Sequence, residues 1–170
     1  GRSPNTKLKC NKDDRQQVIL LTYGRSGSSL TAEIIKQQKQ VYVYYEPLHN
    51  LAKLFEPFQE EHQEVRHRYL HLTSIPEYNK KAEDIVERLM TCNYERLSKV
   101  ASQNLHMRLY DSATMFWCIK RAANYTKEVK CLREGEAKCK EKSIQFLKII
   151  RLTVQSVGQL MDRHPCLKLI

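Results

Sequence analysis

The sequence contains no CxxC pair of cysteines, the usual mark of a zinc ribbon or a thioredoxin-like redox site. It has no signal peptide and no apolar run long enough to span a bilayer. It begins with Gly1 instead of Met and stops inside the apolar run from Leu167 to Ile170, so we expect both ends to be cuts. What is present is a composition of 41% hydrophobic and 28% charged residues, which is typical of one globular domain.

The formal net charge is +10. A positive field of this size favours polyanionic partners such as nucleotides, acidic glycans, nucleic acid or anionic membranes. Charge alone does not choose among these partners. A basic surface kept only for solubility remains the alternative interpretation.

Six cysteines and one glycosylation sequon favour the secretory pathway. An even number of cysteines is compatible with disulfides in an oxidising compartment, although the sequence leaves their pairing open. Cys131 and Cys139 are the closest pair and could close a small polar loop. The triplet Asn124-Tyr125-Thr126 is an acceptor for N-glycosylation at Asn124.

The amino-terminal third predicts a strand–loop–helix–strand unit behind a polar tail at 1–17. The apolar run 18–23 is typical of a strand buried on both faces of a parallel sheet. A helix is predicted over 30–39, with Leu30, Ile34 and Ile35 on one face. The residues 41–45 predict a second strand, and Glu46-Pro47 ends it because proline cannot continue a central ladder.

The rest of the chain predicts a helical insertion followed by a second unit of the first kind. The insertion covers about 50–143, with helices over 82–97 and 112–123 and an irregular charged segment over 125–142. A strand at 144–152, a helix at 154–163 capped by Thr153 and a strand from 167 complete the pattern. Strands that alternate with helices predict an α/β fold, a P-loop-like parallel sheet flanked by helices.

The segment Arg25-Ser26-Gly27-Ser28-Ser29 lies between the first strand and the first helix. Free N–H groups and the dipole at a helix start favour an anion, and glycine lets the backbone approach it closely. The serine hydroxyls and the planar guanidinium of Arg25 add donors suited to phosphate. The loop lacks the lysine of the GxxxxGK[ST] motif, which weakens the prediction of a nucleoside triphosphatase.

This loop, within LLTYGRSGSSL, resembles the 5′-phosphosulfate-binding loop of the Golgi carbohydrate sulfotransferases. In that family a second strand ends in Glu-Pro followed by aromatic or histidine residues, and this chain has YYEPLH at 44–49. The run FLKIIRL, a helix and HPCLKLI is similar to the family's approach to its 3′-phosphate-binding segment. By this resemblance that segment begins after Ile170, so we expect the sheet to be incomplete at its carboxyl-terminal end and the chain to be a partial sulfotransferase domain over 18–170.

The resemblance implies a function and a set of site residues. Arg25, Ser26, Gly27, Ser28 and Ser29 would bind the 5′-phosphosulfate of PAPS (3′-phosphoadenosine 5′-phosphosulfate). The sulfuryl group would move in line to a hydroxyl of a carbohydrate, and we expect an anionic glycan as acceptor, with no metal and no nucleic acid.

The residues after the second strand supply the predicted base for this reaction. Glu46 is the predicted catalytic base because it ends a strand beside the donor loop, and His49 is the alternative because of its pKa near neutrality. Arg151 either faces the donor cleft or pairs with a carboxylate.

The resemblance also predicts where the protein works. The expected location is the Golgi lumen, as a type II membrane protein with its anchor upstream of this chain. Two other functions stay open at this point. One is an ATP-dependent, P-loop kinase-like enzyme that needs Mg²⁺, and the other is an inactive truncated form that only binds a glycan or a partner.

Overall fold

The structure is a computed structural model that describes residues 9–11, 14–22, 26–55 and 72–170. Residues 23–25, which include Arg25 of the predicted donor loop, lie outside the described residues. Within the described ranges, every helix is too short or too polar to cross a membrane.

Four parallel strands form one sheet in the order β2-β3-β1-β4. The strands are β1 (Gln16–Leu21), β2 (Val41–Tyr45), β3 (Ile144–Ile149) and β4 (Leu167–Leu169). Lys148 of β3 stands opposite Leu20 of β1 and Tyr45 of β2, so the carboxyl ends of these three strands meet at one edge. The predicted α/β fold with a parallel sheet is confirmed.

Seven described helices flank the sheet. They are α1 (Ser28–Ile35), α2 (His49–Phe55), α3 (Pro76–Met90), α4 (Lys99–Ser102), α5 (Ala113–Arg121), α6 (Tyr125–Lys140) and α7 (Val154–Arg163). Two 3₁₀ turns, Leu105–Arg108 and Tyr110–Ser112, join α4 to α5. Helices α2 to α6 lie between β2 and β3, in the segment predicted as a helical insertion.

Alternate residues of β2 pack into two different cores, which is why this strand carries almost no polar side chain. Tyr42 and Tyr44 enter a large core with the helices of the insertion. Val41 and Val43 enter a small core on the other face with Ala32 of α1. The sheet is therefore covered on both faces, as its near-continuous apolar strands predict.

Three disulfides join the cysteines, namely Cys10–Cys166, Cys92–Cys139 and Cys118–Cys131. The predicted small loop between Cys131 and Cys139 is wrong, because both residues lie on the continuous helix α6 and each pairs with another element. The Cys10–Cys166 bond ties the predicted tail to the residue before β4. The domain boundary at residue 17 stays a prediction, and β1 begins at Gln16.

The irregular segment predicted over 125–142 is wrong, because Tyr125–Lys140 forms α6. Asn124 begins this helix, and its side chain accepts a hydrogen bond from the Lys127 N–H at 3.0 Å. Ion pairs one turn apart along the exposed face further favour a helix over a loop. The sequence did not indicate this helix because the segment is mostly charged, shows little apolar periodicity and contains Gly135.

The helix predicted over 30–39 is observed as α1, Ser28–Ile35, and its apolar residues do not all meet the core. In α1, Ser28 and Ala32 are buried, whereas Leu30 is 67% and Ile34 58% exposed. Small residues meet the sheet here because α1 begins directly after β1 and lies close to β2. The helix predicted over 154–163 is confirmed as α7, and the Thr153 side chain caps it by accepting from the Ser156 N–H at 2.9 Å.

Candidate functional site at the carboxyl edge of the sheet

The loop after β1 enters α1 through Gly27. Its backbone has φ 78°, a left-handed conformation that glycine adopts without strain, and it precedes the first helical residue, Ser28. No described side chain caps the start of α1, and the first N–H groups and the dipole of a helix favour an anion at such a position. Ser26, Gly27, Ser28 and Ser29 thus lie together at a helix start, as predicted.

The loop contacts β2 through one hydroxyl pair. Ser29 Oγ and the Tyr45 hydroxyl lie 2.5 Å apart and share a hydrogen bond. A second hydrogen bond joins the hydroxyls of Thr22 and Ser26 across the base of the loop. The residue that follows Tyr45 is Glu46, so the predicted donor loop and the predicted base lie at the same edge of the sheet.

Glu46 lies at a sharp turn and binds two cations. Its backbone has φ 45°, a left-handed conformation that is uncommon for a residue with a side chain. Its carboxylate pairs with the Lys148 ammonium and, at 3.4 Å, with the Arg151 guanidinium. All three side chains are at most 11% exposed. Of the two alternatives for Arg151, the pairing with a carboxylate is the observed one.

These cations keep Glu46 ionised. Burial by itself would raise the pKa of the carboxyl, but the hydrogen bond and charge of Lys148 oppose it, with smaller help from His106 and Arg151. The net result is a pKa below the usual value of Glu. The group therefore carries a full negative charge at neutral pH.

Two histidines face each other beside Glu46. The rings of His49, at the start of α2, and His106, in the first 3₁₀ turn, meet edge to face with centroids 4.3 Å apart. Nitrogen atoms of both rings and a carboxylate oxygen of Glu46 all lie within 4.8 Å of one another. The sequence separates His106 from His49 by a long helical segment and offers no signal that the two meet.

Both imidazoles are neutral at pH 7. Burial, and then the charges of His106, Arg151 and Lys53, lower the pKa of His49 to about 4. Burial also lowers the pKa of His106, although the nearby Glu46 carboxylate opposes that shift. A neutral imidazole has a free lone pair, so each ring can in principle accept a proton.

Asn104, which is fully buried, links the Glu46 turn to the segment that carries His106. Its amide nitrogen donates to the carbonyl oxygens of Glu46 at 3.0 Å and Pro47 at 2.8 Å. Its side-chain oxygen accepts from the His106 backbone N–H at 3.0 Å. One amide thus satisfies three backbone groups and fixes the two segments relative to each other.

A cleft of about 600 Å³ opens in front of these groups. Its walls come from α1, the end of β2, the start of α2 and the 3₁₀ turns. The residues that line it are Glu33, Lys36, Tyr45, His49, Leu105, His106, Arg108, Leu109 and Tyr110. Aromatic rings beside polar and charged groups are suited to a polar ring-shaped ligand such as a sugar.

The charges beside this cleft oppose a divalent metal ion. Glu46, His49 and His106 are residue types that bind metals in other proteins. Here, however, Lys148 and Arg151 already neutralise the only carboxylate of the cluster and leave an excess of positive charge. A dication would have to displace a buried ion pair, which is costly.

The sequence missed three parts of this site, namely Asn104, His106 and Lys148. Only Lys148 left a signal, since a lysine within the apolar strand at 144–149 needs a carboxylate partner when buried. Comparison with known proteins adds no family name, because no protein-family model, no curated protein and no solved structure matches the chain. The geometry at the carboxyl edge is therefore the basis for a functional proposal.

Proposed function

We propose that this chain is the donor-binding part of a PAPS-dependent sulfotransferase that acts on a carbohydrate hydroxyl. The supporting observation is the contact of Ser29 with Tyr45, which brings a helix-start anion site against a cleft lined by Tyr45 and His49, the residues on either side of the Glu46 turn. Open α/β sheets bind ligands at this edge, outside the carboxyl ends of their strands. The resemblance of the loop to 5′-phosphosulfate-binding loops gives the anion its identity.

In this proposal the donor and acceptor meet at the end of β2. Ser26 to Ser29, with Arg25, hold the 5′-phosphosulfate, and the acceptor sugar occupies the cleft. Glu46 is the base that the resemblance implies, and His49 is the alternative. Lys148 and Arg151 bring positive charge to the edge at which charge develops on the transferred group.

The protein's setting is proposed on the same basis. Three disulfides fit an oxidising compartment, which agrees with a Golgi enzyme whose membrane anchor precedes this chain. The excess of basic residues fits an anionic glycan as acceptor. The donor chemistry proposed here uses no metal and no nucleic acid.

The first rival is an ATP-dependent, kinase-like P-loop enzyme. The placement of the loop suits any phosphate, so this rival stays testable, although the lysine of the Walker loop is missing. The second rival is an inactive form that only binds a glycan or a partner. That form would leave the cleft open to a glycan and transfer no sulfate.

Calorimetric titration of the full-length protein with PAP, the desulfated donor, tests the donor site. We expect PAP to bind without metal, Mg-ATP not to bind, and Arg25→Ala to weaken PAP binding. Arg121→Ala is the matched control, because Arg121 is exposed at the end of α5 and outside the cleft. Circular dichroism must show that each variant is folded.

The outcomes separate the three functions. Metal-dependent ATP binding without PAP binding would favour the kinase-like enzyme. PAP binding without transfer of sulfate from PAPS to any carbohydrate would favour the inactive form. A folded full-length protein that ignores PAP would contradict the sulfotransferase proposal.

A further inference from the structure

The buried ion pairs of Glu46 make it a poor proton acceptor. One carboxylate oxygen accepts from Lys148, the other pairs with Arg151, and the side chain is only 11% exposed. A substrate hydroxyl must approach within hydrogen-bond distance of its base. Both oxygens of Glu46 are already occupied by cations, so the proton of the proposed reaction needs another acceptor.

His49 is a weak base by its surroundings. Its Nδ1 is buried and has no hydrogen-bond partner among the described residues. Burial lowers its pKa to about 4, so its imidazole binds a proton only weakly at neutral pH. The charges of His106, Arg151 and Lys53 oppose a positive charge on its ring, and the Glu46 carboxylate offsets them only in part.

His106 shares the cleft wall with His49, and both rings are partly exposed there. It differs from His49 in its neighbours. Its ring stacks on Tyr45 at a centroid distance of 5.9 Å, and Tyr45 in turn contacts Ser29 of the donor loop. A hydroxyl bound against His106 would thus lie near the group that the loop holds.

The charges that face His106 come from four elements. Glu46, from the β2–α2 turn, favours its protonated form, whereas Lys148 and Arg151, from the end of β3, and Arg108 of its own turn oppose it. His49 of α2 faces it as a neutral ring. Among the described residues that face His106, the Glu46 carboxylate is the group that can stabilise an imidazolium, although burial keeps the pKa of His106 below its ordinary value.

The following inference rests on the proposed function. We propose that His106 takes the proton of the acceptor hydroxyl and that Asn104 is the positioning residue that holds His106 beside the Glu46 turn. The acceptor O–H bond breaks as its oxygen forms a bond to sulfur, and the bond between sulfur and the 5′-phosphate oxygen of PAPS breaks. PAP leaves with that electron pair. The proton resides on the His106 ring, beside the Glu46 carboxylate, and then passes to water in the open cleft.

The test compares histidine variants of the full-length protein in a transfer assay. PAPS is the donor, and neutral and uronic-acid-containing oligosaccharides are the acceptors. We expect His106→Gln to lower kcat by about 10²–10⁴-fold, the usual contribution of a general base. PAP affinity should stay unchanged, because His106 does not belong to the donor loop. His164→Gln is the matched control and should retain most of the rate, because His164 follows α7 and lies outside the cleft lining. His49→Gln tests the alternative base.

Two further readouts separate proton transfer from a structural role. The wild-type rate should fall in acid as His106 gains its proton, and this acid limb should lie below the ordinary histidine pKa because burial lowers the pKa of His106. His106→Gln should lose this dependence. Added imidazole should restore part of the rate of His106→Ala. Asn104→Ala should lower kcat without changing the KM for PAPS, and should keep the acid limb because His106 remains.

Each outcome bears on one proposal or on both. If His106→Gln transfers sulfate within threefold of wild type, or if His49→Gln removes the acid limb in its place, His106 is not the base and the sulfotransferase proposal still stands. If the wild-type protein neither binds PAP nor transfers sulfate, the proposed function fails and this inference fails with it.

Discussion

Substitution of Glu46 by Gln would test the charge cluster at the edge of the sheet. Glutamine keeps the size and the hydrogen-bonding oxygen of the side chain but removes its charge. Lys148 is 3% and Arg151 9% exposed, so water cannot replace the lost carboxylate. The variant would leave the buried Lys148 ammonium without the carboxylate that it pairs with and would weaken the neutralisation of Arg151.

The expected loss of stability is large. Removal of one partner from a buried ion pair costs about 3–5 kcal/mol. For a chain of this length, each kcal/mol corresponds to roughly 2–4 °C in Tm. We therefore expect Glu46→Gln to lower Tm by about 10 °C at pH 7.

Thermal melts followed by circular dichroism at several pH values provide the assay. The pKa of Glu46 is lower in the folded protein than the value of about 4.3 expected in the unfolded chain. Its contribution is thus present above the unfolded-state pKa and is lost as the pH falls through the folded-state pKa. The difference in Tm between wild type and variant should be constant near neutral pH and narrow in acid.

Glu77→Gln is the matched control. Glu77 pairs with Lys81 at 2.9 Å, but the two side chains are 68% and 55% exposed. Such a surface pair contributes about 0–1 kcal/mol, so the control should melt close to wild type. Equal Tm values for the two variants, or a Glu46→Gln deficit that persists unchanged in acid, would refute our account of the cluster.

Three further predictions concern the rest of the chain. Peptide mapping without reductant should recover the three disulfides described above, and a bridge between Cys131 and Cys139 would contradict the structure. Gly135→Ala should lower the unfolding free energy measured in urea titrations by about 1–3 kcal/mol, since its Cβ would lie 2.7 Å from a methionine sulfur of α5. Gly158→Ala has open space around its Cβ and should raise the unfolding free energy by about 0.5–1 kcal/mol. The reverse order of the two variants would refute this packing. When wild-type protein is made in secretory cells, glycosidase treatment should lower its mass, and Asn124→Gln should abolish this change. A wild-type protein whose mass the glycosidase does not change would exclude glycosylation at Asn124.

Local patterns predicted the sheet because its strands are short and strongly apolar. The strand at 41–45 and the helix at 154–163 carry clear periodicity and end signals, namely Glu46-Pro47 and the Thr153 cap. The order of strands in the sheet has no such local signal. It follows from long-range pairing, such as that of β1 with β3 across the helical insertion.

The site was only half predictable, for a similar reason. The donor loop and Glu46 belong to short sequence motifs that directly follow predicted strands. His106 and Asn104 reach the site from a distant segment, and only tertiary packing brings them to the Glu46 turn. Leu30 and Ile34 show that apolar spacing alone does not identify core residues, because both side chains are mostly exposed on α1.

The bond between Cys10 and Cys166 spans a sequence separation of 156 residues and so closes most of the protein into a covalent ring. Tension applied to the chain outside these two residues passes from sulfur to sulfur and does not load the strands within the ring. The strands β1, β2 and β3 and the cleft at their edge are thereby shielded from mechanical force, whereas β4 lies outside the ring and is held to β1 by hydrogen bonds. Reduction of this one bond would place the load on the backbone within the ring.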